Sequence, residues 1–116
     1  MAEKAKKGDC YEAAGRLALE FIRGKHPKAV LVHCVVLNSL DYQPMGHAWV
    51  EVGSTVYDYS NGKKAKQNKL FYYNHGAIDG LMKKGYKQFR YKGEKVALNI
   101  LKHEHWGPWE NTGAKR

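Results

Sequence analysis

A cysteine at position 10, a histidine at 47 and an aspartate at 58 are the residues whose types suit covalent catalysis. A thiol attacks a carbonyl as its thiolate, so it needs a base, and the base needs a partner that fixes its tautomer. The runs His47-Ala48-Trp49-Val50-Glu51-Val52 and Thr55-Val56-Tyr57-Asp58-Tyr59 are rich in β-branched and aromatic residues, and Gly53-Ser54 separates them. That pattern predicts a β-hairpin with a two-residue turn. In this register Val52 faces Thr55 and Trp49 faces Asp58. Alternation then puts His47, Trp49 and Glu51 on one face with Val56, Asp58 and Ser60. Asp58 becomes the diagonal neighbour of His47, roughly 7–8 Å away by backbone and within side-chain reach.

The nucleophile must come from another element. Asp9 and Glu12 have the D-x-x-E spacing of a helix start, which predicts Asp9 as N-cap and Glu12 at the third helical position. The helix continues through CYEAAGRLALEFIR, with Cys10, Ala14, Leu17, Ala18 and Phe21 on one apolar face, until Gly24 and Pro27 end it. Cys10 thus falls in the first turn, where free backbone N–H groups and the helix dipole favour an anion. The same position also suits a small buried thiol. The apolar run at 29–36 predicts a central strand with His33 and Cys34 on opposite faces, Cys34 in the core and His33 a satisfied polar residue. A loop at 38–45 leads into the hairpin. The Cys10 backbone N–H and the Gln43 amide are candidate oxyanion donors, although a loop glutamine also suits solvent. Trp49 and Tyr57 are candidate substrate contacts, with hairpin packing as the competing use.

Beyond the hairpin, Ser60-Asn61-Gly62 is a turn, followed by the basic KKAKQNK at 63–69. LFYY at 70–73 reads equally as a short strand or a helical turn. AIDGLMKKG predicts a short helix, YKQFRY at 86–91 a strand, and EKVALNILKHEH a last helix with Val96, Ala97, Ile100 and Leu101 as its apolar stripe. Trp106-Gly107-Pro108-Trp109 ends that helix. Residues 1–8 read as a basic lead-in, and the final GAKR as a frayed end.

At 116 residues, 43% of them hydrophobic, the chain is expected to form one domain, 1–116, with a modest core. Its net charge of +9 is uneven: residues 29–59 carry no Lys or Arg against three acids, whereas 60–116 carry thirteen against four. Such a field attracts nucleic acid or an anionic substrate, and it equally describes a solvated lysine-rich face. Two cysteines make no disulfide framework, which fits a reducing compartment. No apolar leader or membrane span is visible, so a cytoplasmic location is the expectation. A metal site would draw on Cys10, His33, Cys34, His47, His103 and His105, but their spacings match no metal motif, and neither metal nor cofactor is expected. A non-catalytic alternative is single-stranded nucleic-acid binding through the basic second half and Tyr72, Tyr73, Tyr86, Phe89 and Tyr91.

Taken together, Gly8-Asp9-Cys10-Tyr11-Glu12-Ala13-Ala14, His47-Ala48-Trp49-Val50-Glu51-Val52 and Tyr57-Asp58-Tyr59-Ser60-Asn61 resemble the transglutaminase-like core of the papain-like cysteine hydrolases, over roughly residues 8–62. The resemblance implies an α+β fold in which an N-terminal cysteine helix packs on a small antiparallel sheet, with extra C-terminal helices. It implies Cys10 as nucleophile, His47 as general base and Asp58 as the residue orienting His47. The activity implied is acyl transfer to water from a peptide or amide substrate, and the positive field of the second half would suit an anionic one. Transfer to an amine on the same triad is the alternative.

Overall fold

The computed structural model describes residues 9–115. Along them run α1 (Cys10–Ile22), β1 (Val30–Leu37), β2 (Pro44–Val52), β3 (Thr55–Asp58), a 3-10 turn (Ser60–Gly62), β4 (Ala65–Asn68), α2 (Lys69–His75), α3 (Ile78–Lys83), β5 (Phe89–Lys92) and α4 (Glu94–His103). The five strands form one antiparallel sheet in the order β4-β3-β2-β1-β5. The fold is α+β, with the cysteine helix against the sheet. No helix among the described residues is long and apolar enough to cross a membrane.

Alternation along the strands explains the layering. Leu31, Ala48, Val50 and Tyr91 face one way and meet Ala14, Leu17 and Ala18 of α1 and Val96 of α4. Val32, Cys34, Trp49 and Val56 face the other way and meet Tyr73 of α2 and Ile78 of α3. The β2–β3 register matches the predicted turn, with Val52 opposite Thr55 and Val50 opposite Tyr57.

Several local expectations change. The Asp9 side chain makes no cap hydrogen bond. Glu12 pairs with Arg16 at 2.7 Å instead of reaching back to the helix start. LFYY is helical, because the Asn68 side chain accepts from the N–H groups of Leu70 and Phe71 and opens α2. Within the basic stretch before it, residues 65–68 extend the sheet as the edge strand β4. The C-terminal end packs back on the body: the Thr112 carbonyl accepts from the Lys87 N–H at 2.9 Å, and Gly113 lies against Tyr86. The lead-in at 1–8, including Gly8, lies outside the described residues.

Two glycines report how tightly the C-terminal segment is held. A Cβ on Gly15 would stand 2.6 Å from Trp106 Cε3, so the indole occupies the space that any larger residue of α1 needs. Gly15→Ala should therefore destabilise by about 1–3 kcal/mol through overpacking, although alanine is the better helix former. Thermal unfolding measures this.

A Cβ on Gly107 would stand 2.6 Å from His33 Cε1. His33 is wholly buried, and neither ring nitrogen has a hydrogen-bond partner. This corrects the expected satisfied polar residue: the imidazole is walled by Tyr11, Tyr91 and Trp109, which offer ring faces and edges rather than acceptors. Burial pushes its pKa down to about 4. The unfolded chain gains a proton below about 6.5 that the folded chain refuses until about 4, so stability is lost as pH falls through that window, by up to about 3 kcal/mol. His33→Leu should flatten the curve of stability against pH between 6.5 and 4 in urea titrations, whatever its stability at pH 7.

Candidate active site

Cys10 is the first residue of α1, and its side chain is buried. The Asp9 side chain leaves the first-turn N–H groups uncapped, and the α1 ladder begins with Ala13 N–H on the Asp9 carbonyl. Among the described residues no side chain caps those amides, which suits them to act as donors. α1 lies mainly on the Ala48 and Val50 side of the sheet, whereas alternation roots His47 on the side of Trp49. The β2–β3 ladder ends at Val50–Tyr57, and the 3-10 turn that follows β3 also touches α1.

There His47 Nε2 lies 2.9 Å from Asp58 Oδ2, and the Cys10 thiol lies near enough to the imidazole to raise its pKa. With Nε2 on the carboxylate, Nδ1 is the nitrogen left for the sulfur. Asp58 is held in turn by four donors. Oδ1 accepts from the Ser60 N–H at 3.0 Å and the Ser60 hydroxyl at 2.6 Å, and Oδ2 accepts from the Tyr72 hydroxyl at 2.6 Å as well as from His47. The structure thus brings Cys10, His47 and Asp58 together.

The electrostatics follow from this packing. Burial opposes the imidazolium, but the hydrogen bonds and charges of Asp58 and Cys10 prevail and hold the His47 pKa up at about 10. Burial opposes the Asp58 carboxylate too, and His47, Ser60 and Tyr72 together keep it well below the usual range. The raised histidine contributes stability below its ordinary 6.5 that is lost as pH rises through about 10. The lowered aspartate contributes above the ordinary carboxylate range, and that is lost in acid.

A second carboxylate, Glu51, sits beside the first and is buried on the same face. Its Oε2 accepts from Trp49 Nε1 at 2.9 Å and from the Tyr73 hydroxyl, while Oε1 meets Arg90 at 2.9 Å and Lys69 at 3.2 Å. Burial raises the Glu51 pKa, and these donors and the Arg90 charge outweigh it, leaving the group lowered.

The remaining candidates are placed elsewhere. Gln43 is exposed, just before β2, in a surface groove with Pro44, Tyr86 and Lys115. Four residues of extended chain put it roughly 13 Å from His47. Trp49 is completely buried. Tyr57 packs on Phe21 on the opposite face of the sheet from His47. The aromatics of the nucleic-acid alternative are occupied in packing: Tyr73 and Tyr91 are buried, and Tyr72, Tyr86 and Phe89 half-buried. Among the described residues, no three His, Cys, Asp or Glu side chains converge as a metal site needs. His103 stacks on Trp109.

Alternation along the hairpin reaches Ser60, whereas Tyr72, Tyr73, Arg90 and Lys69 come from elements outside it. The available cue was two acids on the inward face of an apolar hairpin, which must find donors somewhere. No protein-family model, no curated protein and no solved structure matches this chain.

Proposed function

We propose that this protein is a cysteine-dependent acyl-transfer enzyme of the transglutaminase-like, papain-like kind, hydrolysing a peptide or amide bond through a thioester on Cys10. The observation that carries the reading is the His47 ring held by Asp58, with the Cys10 thiol at the helix start near enough to act on the charge of the imidazole. Cys10 gives its proton to His47, and Asp58 stabilises the imidazolium and fixes the ring. The thiolate attacks the substrate carbonyl, and the oxyanion is received by the uncapped N–H groups of the first turn of α1, that of Cys10 among them. His47 returns the proton to the leaving amine as the C–N bond breaks, which leaves a thioester. Water, deprotonated by His47, attacks the thioester, releasing the acid and regenerating the thiol.

Two free, buried thiols suit the reducing environment of a cytoplasm. Incubation with a library of short peptides and side-chain amides, read by mass spectrometry, tests the assignment. Hydrolysis products should form with the wild-type chain and disappear with Cys10→Ala at unchanged circular dichroism. Products formed equally by both proteins contradict it. Products that appear only when an amine is added make the same cysteine a transferase centre.

A further inference from the structure

Two consecutive residues of α2 each hold one carboxylate of the hairpin: the Tyr72 hydroxyl donates to Asp58 and the Tyr73 hydroxyl to Glu51. Both rings pack on the Trp49 indole, at 5.2 and 5.9 Å between centroids, so the two phenols are fixed against one rigid wedge. Their surroundings nonetheless differ. Glu51 spreads four partners over two oxygens with no general base among them. On Asp58, Ser60 supplies both donors at Oδ1, whereas Tyr72 and His47 converge on the single atom Oδ2.

We propose that Tyr72 is a positioning residue: its hydroxyl shares Asp58 Oδ2 with His47 and so weakens the carboxylate's grip on the imidazolium. The role rests on the acyl-transfer reading. An imidazole gripped too firmly by a carboxylate keeps its proton, and the second half of the reaction needs that proton released so that His47 can activate water. Two donors on one oxygen draw on the same electron density, so the phenol moderates the bond to the ring without moving it. The groups facing Asp58 are His47 from β2, Ser60 from the 3-10 turn and Tyr72 from α2, with Cys10 beyond the His47 ring. Burial and the adjoining carboxylate push the Tyr72 pKa far up, so the phenol remains a donor throughout the working range.

The test reads His47 itself, by nitrogen NMR of histidine-labelled full-length protein in a Cys10→Ala background, where no thiol contributes. Tyr72→Phe keeps the ring against Trp49 and removes the competing donor. His47 should then hold its proton roughly tenfold more tightly, a rise of about one pH unit in its titration. Difluorotyrosine at position 72, a stronger donor of almost the same outline, should move the titration down, and it decides the matter alone if Tyr72→Phe does not fold. A His47 titration that stays in place, or moves the opposite way in either variant, overturns the proposal. Because the thiol is absent from these proteins, the result is separate from whether Cys10 proves reactive in the wild type.

Discussion

Asp58→Asn is expected to lower turnover on the order of 10³–10⁴-fold, the usual cost of misdirecting a triad imidazole. The argument is one of tautomers. In the wild type Nε2–H donates to Asp58 Oδ2, and Nδ1 is left to take the Cys10 proton. With asparagine, the two Ser60 donors keep the amide oxygen on the Oδ1 side, which turns the NH₂ toward His47. Nε2 must then accept, so Nδ1 carries the proton and points a donor at the sulfur. The base becomes the wrong tautomer with its position hardly changed. Circular dichroism should match the wild type, and hydrolysis of any substrate found by the library digest should fall by the stated factor. A variant retaining a tenth or more of wild-type turnover would contradict the assigned role.

The largest expected effect on stability belongs to the neighbouring carboxylate. Glu51→Ala should cost about 3–5 kcal/mol, the range for removing one partner of a buried charge network. Arg90 and Lys69 each keep about a third of their side-chain surface exposed and can rehydrate. Trp49 Nε1 cannot rehydrate, because its ring is completely buried, and the Tyr73 hydroxyl is left with the Gln88 amide alone. For a chain of this size the midpoint of thermal unfolding should drop by roughly 10–20 °C. Because the lowered Glu51 contributes only above the ordinary carboxylate range, the gap between variant and wild type should shrink as pH falls. A loss below about 1 kcal/mol at pH 7 would mean that the cluster is better described as hydrated surface.

The sequence made the hairpin legible because its two faces differ in chemistry. Alternation assigns His47, Trp49, Glu51, Val56 and Asp58 to one side, and a two-residue turn fixes the register. The apolar spacing of α1 and the uninterrupted run of β1 were equally readable, since burial on one or both faces leaves a period. What was not readable depends on contacts distant in the chain. Residue spacing cannot say that Tyr72 meets Asp58 or that Arg90 meets Glu51, for 14 and 39 residues separate these pairs. The strand at 65–68 was hidden because an exposed edge carries lysines in place of a hydrophobic alternation. The unpartnered state of His33 is hidden from the sequence for a related reason. A histidine in a strand is ordinarily given a partner, and only the convergence of Tyr11, Tyr91 and Trp109 from three other segments explains why this one has none.

The central claim is that Cys10 and His47 act as one unit, and alkylation by iodoacetamide, followed across pH and mapped by mass spectrometry, addresses it directly. An ordinary thiol is less than about 1% thiolate at pH 6 and reacts slowly there. Cys10 should be labelled at pH 6 in strong preference to Cys34, whose thiol burial pushes up. His47→Ala should slow the Cys10 reaction by roughly a hundredfold at that pH. Slow and equal labelling of both cysteines, or a Cys10 rate indifferent to His47, would contradict the account.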